Sequence, residues 1–252
     1  MEKLLIKKDL ISCICVTRKK VELLKRSIDC FNNQTYQNKE LVILFEEDDM
    51  ETLQFLENNK FPENIILIKE SIFPKKSLGE LRNLAILQSN GNFFCQWDDD
   101  DWFHPLRIEI QFSFLNKKVT GCILSRWTIY DYTTQKAYLS NSRAWEGSIL
   151  CRRDVFDRFK YENKKVGEDT LFISQLLNNY SIQIINRLPF LYIYTYNSKN
   201  TWGHLHFKKI FESSQELSLE HSDLISKILI DNLEITQEVN DLLIFFYTDL
   251  YK

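Results

Sequence analysis

The 252-residue chain is poor in the residues that loosen a polypeptide. Six glycines and four prolines leave little room for flexible linkers, so the position of each glycine carries information. No apolar run approaches the length that spans a bilayer, and Met1 to Leu10, with Lys3, Lys7, Lys8 and Asp9, lacks the apolar centre of a signal peptide. A soluble protein, at most peripheral to a membrane, is expected. The formal net charge of -3 shows no excess of one sign, which argues against nucleic acid as a partner. None of Cys13, Cys15, Cys30, Cys95, Cys122 and Cys151 forms a C-x-x-C pair. Most lie in apolar, strand-like runs where a thiol acts as a small hydrophobe, and a reduced, cytoplasmic location is the expectation. Internal repeats and low-complexity segments are absent as well.

What the chain does have is ordinary bulk and one unusual stretch. A content of 44% hydrophobic and 27% charged residues suits one large domain, or one domain with a small appendage, able to bury a substantial core. The unusual stretch is Asp98-Asp99-Asp100-Asp101, entered from the apolar run Phe93-Phe94-Cys95 and flanked by Trp97 and Trp102. Adjacent carboxylates raise one another's pKa unless a cation compensates. Mg²⁺ and Mn²⁺ are the usual compensation, because they prefer carboxylate oxygen and keep positions open for phosphate. The alternative is a solvated acidic turn. The preceding strand and the two tryptophans argue against it.

Along the chain, Leu10 to Val16 reads as a central parallel strand ending in Thr17-Arg18. Val21, Leu23, Leu24, Ile28 and Phe31 then recur at helical spacing. A second strand, Glu40 to Phe45, ends in Glu46-Glu47-Asp48-Asp49, and a third covers Ile65 to Ile68. A helix over Ser77 to Gln88 is expected to stop at Asn90-Gly91 through a left-handed cap, before the strand Phe93 to Trp97. This alternation is that of a doubly wound α/β sheet, whose polar strand ends gather at one ligand-binding edge. Thr17-Arg18, Glu46 to Asp49 and Asp98 to Asp101 meet there. Pro105 opens another helix. Beyond Gly121 the pattern predicts antiparallel strands over Cys122 to Tyr130 and Lys136 to Leu139, a strand over Gly147 to Arg152, and a helix after Gly167-Glu168-Asp169. Strands Ile182 to Ile185 and Phe190 to Tyr196 follow, then helices from Phe207 onward.

These motifs, in this order and together with Ser77-Leu78-Gly79-Glu80-Leu81-Arg82-Asn83, resemble the family 2 glycosyltransferases of the GT-A fold, bacterial and inverting. The resemblance covers about residues 10 to 207. It implies a nucleotide-diphospho-sugar transferase fold: a doubly wound, mostly parallel sheet, a small antiparallel sheet on the acceptor side, and C-terminal helices. Residues 1–214 would form the catalytic domain, with 1–104 the nucleotide-binding half and 105–214 the acceptor half, and 215–252 a helical extension. The family's acid-rich motif, Asp-x-Asp-Asp, maps onto Asp98, Asp100 and Asp101.

The resemblance further implies Mn²⁺ or Mg²⁺ as cofactor, with Asp100 the direct ligand and a late histidine, His206 in preference to His204, completing the shell. Thr17, Arg18, Glu46, Lys76, Arg82, Asp98 and Asp99 would hold the nucleotide-sugar donor, most readily a UDP-sugar. The family more commonly has Asp where Glu46 stands, which bears on recognition of the base. Asp169 is the implied general base, assumed to have an ordinary Asp pKa near 4, with Glu168 supporting the acceptor. Asp169 also precedes a helix, where an acid can act simply as a cap. Trp145 and Trp202 are candidates for stacking on acceptor sugars, although large aromatics also serve as core. The implied partner is a glycan acceptor in surface polysaccharide or lipopolysaccharide synthesis. Two other readings stand beside it: a sugar-nucleotide nucleotidyltransferase, and a non-catalytic nucleotide- or glycan-binding module. Leu242 to Tyr247 is too apolar to remain in water. It is expected to pack on the catalytic domain, the alternatives being a second copy (a homo-oligomer) or peripheral contact with the inner face of a membrane.

Overall fold

In the computed structural model, which describes residues 9–197, 200 and 202–250, the chain begins with β1 (Ile11–Val16), α1 (Val21–Asn32), β2 (Lys39–Glu46), α2 (Met50–Asn58) and β3 (Ile65–Glu70). Next come α3 (Leu78–Gln88), β4 (Phe93–Gln96), β5 (Trp102–Phe103), α4 (Arg107–Ser113), β6 (Gly121–Leu124), β7 (Thr128–Asp131) and β8 (Lys136–Leu139). The remainder comprises β9 (Leu150–Arg152), α5 (Thr170–Asn179), β10 (Ile182–Ile185), β11 (Tyr192–Tyr196), α6 (His204–Glu212), β12 (Gln215–Glu216), α7 (Leu219–Ile230) and α8 (Gln237–Asp249). The readings made for Met1 to Lys8 and for Thr201 lie outside the described residues.

A seven-stranded sheet has the order β10-β6-β9-β4-β1-β2-β3. Its pairs are parallel except where β9 runs against β4 and β6. Its central strands are apolar throughout because both faces are covered. Cys13, Cys15, Leu41, Ile43, Phe93 and Cys95 pack into one core with Leu24, Ile28 and Phe31 of α1. Ile14, Val42, Leu44 and Phe94 pack into another with Leu81 and Ala85 of α3 and Phe172 and Leu176 of α5. The two-residue period of a strand thus sorts one apolar run between two cores. All six cysteines are buried and free. Burial pushes the Cys30 thiol up to about 11 and the Cys122 thiol up to about 12, so they are packing groups.

The second sheet has the order β12-β8-β7-β11-β5. It is mixed where an antiparallel sheet was expected, because β11 lies parallel to β7. The run Cys122 to Tyr130 does not form one strand. It breaks at Ser125–Trp127, and its two halves join different sheets. The β7–β8 turn is closed by Asp131, whose carboxylate accepts from Thr133 N at 2.8 Å and from the Thr133 and Thr134 hydroxyls at 2.7 and 2.8 Å. Residues Glu146–Ser148 form a 3₁₀ turn, so the strand expected from Gly147 begins only at Leu150.

Gly91 is not a left-handed cap. Helix α3 ends in extended backbone at Ser89, and Gly167, at φ +68, is the one glycine in the left-handed region among the described residues. Gly91 is needed for close approach: a Cβ there would lie 2.4 Å from Ser12 Oγ and 2.6 Å from Phe93 O. Its N–H donates to Ser12 Oγ at 2.9 Å, and Ser12 in turn donates to buried Glu40 at 2.6 Å.

The C-terminal helices share the core of the second sheet. Leu224, Ile225, Ile228, Leu229, Leu243 and Tyr247 are buried in it. The Leu217 N–H donates to Ala137 O at 2.9 Å, and the Tyr247 hydroxyl hydrogen-bonds Thr128. No helix among the described residues is long and apolar enough to cross a membrane.

Candidate active site

The carboxyl ends of β1, β2 and β4 open into a cleft of about 550 Å³, closed on the far side by Trp145, Gly147 and residues 165–169. Its centre is the acidic run. Trp97 is fully buried with its indole N–H on Ser27 O at 3.2 Å, and Trp102 is buried in β5. The two rings therefore anchor both ends of the run in the core. Each carboxylate between them has its own partners.

Asp98 accepts from Arg82 Nη2 at 2.7 Å and from Gln96 Nε2 at 3.0 Å. Buried Asp99 accepts from Thr17 Oγ1 at 2.7 Å and from Lys20 Nζ at 3.4 Å. Burial pushes it up to about 6, with the Lys20 ammonium opposing and Asp100 adding to the rise. Asp100 accepts from Lys20 Nζ at 2.8 Å and from Asn200 Nδ2 at 3.2 Å. Its backbone oxygen receives Arg26 Nη2 at 2.6 Å. Asp101 faces inward, taking Thr195 N at 3.1 Å and the Tyr192 hydroxyl, so that it ties the run to β11. Burial and its acidic neighbours hold Asp101 well above the usual carboxylate range.

Arg82 joins the two sides of the cleft. The capping box of α3, in which Ser77 Oγ accepts from Glu80 N and Glu80 from Ser77 N, sets the first turn so that Arg82 points inward. The guanidinium is buried, donating to Asp98 and, through Nε, to Glu168 at 2.9 Å. Gly79 permits this arrangement, since a Cβ there would lie 1.8 Å from Glu162 O in the loop leading to Glu168. The left-handed turn at Gly167 then presents Asp169.

Asp169 is the residue before α5 but makes no side-chain cap, so helix capping does not account for its position. It is half-buried at the cleft wall. Its carboxyl is not ordinary: burial first, then Glu168, raise it to about 7, Glu146 and Asp98 add to the rise, and Arg82 opposes it.

At the β2 end, buried Glu46 is gripped by Arg18 and by Lys75 Nζ, the latter at 2.5 Å from each carboxylate oxygen. Arg18 also reaches Asp48 at 2.6 Å. Lys76 lines the cleft and donates to Glu70 at 2.6 Å. Trp145 lines the opposite wall from within an aromatic stack, 4.2 Å from the Trp127 ring. Trp202 lines the cleft and is 39% exposed, enough to offer a ring face to a ligand. It stacks on His206 at 4.1 Å. His204 and His206 fall in the first turn of α6, where residues two apart do not share a face, and neither is among the cleft-lining residues. The structure thus brings Thr17, Arg18, Glu46, Lys76, Arg82, Asp98 to Asp100, Glu168, Asp169, Trp145 and Trp202 to one cleft, without His206. Lys20 and Lys75 were not anticipated. Both are basic residues just beyond strand ends, a signal shared by many surface lysines.

The chain belongs to glycosyl transferase family 2, which it matches over residues 12–180. It is 26% identical over 157 residues to an uncharacterized glycosyltransferase of Rickettsia bellii (strain RML369-C), a match covering 60% of this chain and 21% of that protein. The chain therefore spans about a fifth of the length of this curated relative. Its fold is the GT-A fold of solved glycosyltransferases. Staphylococcus aureus TarS 1–349 superposes with a TM-score of 0.59 at 16% identity, covering 90% of this chain and 76% of that one. The mannosyltransferase PcManGT of Pyrobaculum calidifontis, solved with GDP-Man and Mn²⁺, gives 0.56 at 11% identity over 92% and 78% of the two chains. Glucosyl-3-phosphoglycerate synthase of Mycobacterium tuberculosis, solved with Mn²⁺, UDP and phosphoglyceric acid, gives 0.53 at 12% identity over 75% and 72%.

Among the described residues no three His, Cys, Asp or Glu side chains converge as a metal cluster. A divalent ion in a phosphate site needs fewer, since one or two carboxylates suffice when phosphate oxygens complete the shell. Half-buried Asp98 and Asp100, both at the cleft wall, have that donor chemistry. The residues present fit such an ion through Asp100, and through Asp98 once Arg82 gives way.

Proposed function

We propose that the chain transfers a sugar, with inversion, from a nucleoside-diphosphate sugar to a hydroxyl of a glycan acceptor. The observation that carries this reading is the division of one cleft into two chemistries. One side pairs carboxylates with Lys20, Arg18, Lys75 and Arg82, and the other presents Asp169 with its carboxyl raised to about 7. A group of that pKa is ionised enough at neutral pH to accept a proton, and basic enough to keep it.

Asp169 takes the proton from the acceptor hydroxyl as its oxygen bonds to the anomeric carbon, and the bond from that carbon to the diphosphate breaks on the opposite face. Glu168, held by Arg82, positions this loop. Thr17, Arg18, Glu46 and Lys76 border the nucleotide, and Trp145 and Trp202 the acceptor. Asp100, assisted by Asp98, would hold Mn²⁺ or Mg²⁺, which supplies charge stabilisation of the departing diphosphate when bound. His206, off the cleft lining, has no assigned ligand role in this reading. A UDP-sugar is the expected donor, TarS having been solved with UDP-GlcNAc. The acceptor is assigned to surface polysaccharide or lipopolysaccharide synthesis, on the cytoplasmic side of a membrane.

The test is hydrolysis and transfer from a panel of UDP- and GDP-sugars, with and without Mn²⁺, for wild type and Asp100→Asn. Metal-dependent release of UDP, lost in the variant with the fold intact, is expected. Turnover of a nucleoside triphosphate with a sugar phosphate, and none of a nucleotide sugar, would establish a nucleotidyltransferase instead. Binding of nucleotide sugars without any turnover would establish a binding module.

A further inference from the structure

Lys20 is not among the residues that carry the resemblance, yet it sits at the centre of the cleft. It is the residue just before α1. Its Nζ lies 2.8 Å from Asp100 Oδ2 and 3.4 Å from Asp99 Oδ1, and its side chain is 17% exposed, too little for a freely solvated lysine. Asn200 Nδ2 donates to the same Asp100 oxygen at 3.2 Å, while Arg26 holds the Asp100 backbone at 2.6 Å. The ammonium is therefore fixed on a carboxylate that is itself fixed.

We propose that Lys20 is an internal counter-ion of Asp100, which keeps a divalent metal from the nucleotide-free cleft and so couples metal binding to binding of the nucleoside diphosphate. This rests on the reading that Asp100 is the metal's carboxylate ligand. An ammonium and a divalent cation at one carboxylate repel each other, and in a partly buried site water screens that repulsion weakly. Lys20 cancels one of the two negative charges of Asp99 and Asp100, so less charge is left to attract the ion. A diphosphate changes the balance, because its oxygens bring the negative charge that lets metal and ammonium share the cleft. By linkage the coupling is reciprocal: the metal raises nucleotide affinity by the same factor that the nucleotide raises metal affinity.

The experiment is titration of Mn²⁺ followed by the electron paramagnetic resonance signal of the free ion. It is run with and without UDP on wild type, Lys20→Met, Lys20→Arg and Asp100→Asn, with Mn²⁺ held by UDP alone subtracted from protein-free runs. In wild type, UDP should raise Mn²⁺ affinity by at least about tenfold, within the range usual for coupled sites. Lys20→Met, which keeps the aliphatic stem, should bind Mn²⁺ without UDP at least about tenfold more tightly than wild type, with a smaller effect of UDP. Lys20→Arg should behave as wild type. Equal Mn²⁺ affinity of wild type with and without UDP overturns the inference even if the variants fail to fold. So does a folded Lys20→Met no tighter than wild type. Asp100→Asn separates the two levels: if it binds Mn²⁺ with UDP as wild type does, the metal assignment of Asp100 falls and this inference with it. If it does not, a negative result at Lys20 removes the coupling alone.

Discussion

Replacing Asp169 by asparagine tests the assignment of the base through both activity and stability. Burial, Glu168, Glu146 and Asp98 together raise this carboxyl from 3.8 to about 7 against the pull of Arg82. A rise of about three in pKa corresponds to about 4 kcal/mol, an upper bound here because the half-buried group is partly screened by solvent. The sign follows from which state binds the proton more tightly. The folded protein holds it to about pH 7 and the unfolded chain only to about pH 4. Below about pH 4 both states are protonated and Asp169 costs nothing. Stability is lost as pH rises from about 4 to about 7 and stays low above that. Asp169→Asn should therefore be more stable than wild type at pH 8, by about 1–3 kcal/mol, with the gain gone near pH 4. The same variant should lower kcat by about 10²- to 10⁴-fold, the usual worth of general-base assistance. In wild type, kcat/KM reports the ligand-free enzyme. It should fall about tenfold per pH unit below 7, to about a tenth of its plateau at pH 6. The assays are initial transfer rates from pH 5.5 to 8.5 and urea denaturation at pH 4.5 and 8. A kcat/KM flat between pH 6 and 8, or a variant with weakened donor binding and intact kcat, would refute the assignment. A variant less stable than wild type at pH 8 would refute the electrostatic account.

Three further outcomes are expected. Arg82→Met removes a buried cation from two carboxylates, Asp98 and Glu168, and should lower unfolding stability by about 3–5 kcal/mol. Urea denaturation at pH 7 reads this, and a loss under 1 kcal/mol would mean that solvent already screens the pair. Gly79→Ala sets a Cβ against the Glu162 carbonyl and should destabilise by about 1–3 kcal/mol. Because the displaced loop carries Asp169, kcat should fall with donor affinity retained, and an unchanged kcat would uncouple the loop from the base. Tyr247→Ala removes a ring buried against Phe190, with its hydroxyl on Thr128. It should lose about 3–5 kcal/mol in thermal or urea unfolding, and neutrality would show that α8 packs loosely.

The sheet-edge side of the cleft was legible because local signals and topology agree there. A strand buried on both faces is apolar throughout, so Leu10 to Val16, Glu40 to Phe45 and Phe93 to Trp97 announce themselves, and the polar residues after them must lie at one sheet edge. What was missed depends on contacts between segments distant in sequence. Lys20 lies 80 residues from Asp100, and Lys75 lies 29 from Glu46. Nothing in either lysine's neighbourhood distinguishes it from a solvated one. Arg82 is buried because Gly79 lets the loop at Glu162 close over the first turn of α3, a contact that nothing beside it in sequence announces. The raised carboxyl of Asp169 arises from burial and from Glu168, Glu146 and Asp98, of which only Glu168 adjoins it in sequence. Cys122 to Tyr130 looked continuous because apolar residues lie on both sides of the break. A change of sheet leaves little mark on composition when both sheets bury their strands.

The same accounting sets Asp169 apart from Asp98, Asp100 and Glu46, in keeping with its proposed role as base. Asp98 is paired to Arg82, Asp100 to Lys20, and Glu46 to Arg18 and Lys75. Each of these acids faces a positive charge at ion-pair distance. Asp169 has no such contact among the described residues. The cation acting on it is Arg82, whose Nε and Nη2 are already engaged by Glu168 and Asp98. A carboxylate matched to a contacting cation is a weak base and a good anchor for charged ligands, whereas one surrounded by acids gains proton affinity. Environments that push neighbouring acids apart in this way assign the catalytic roles. The proposed assignment rests on where two lysines and two arginines point, more than on the acidic residues themselves.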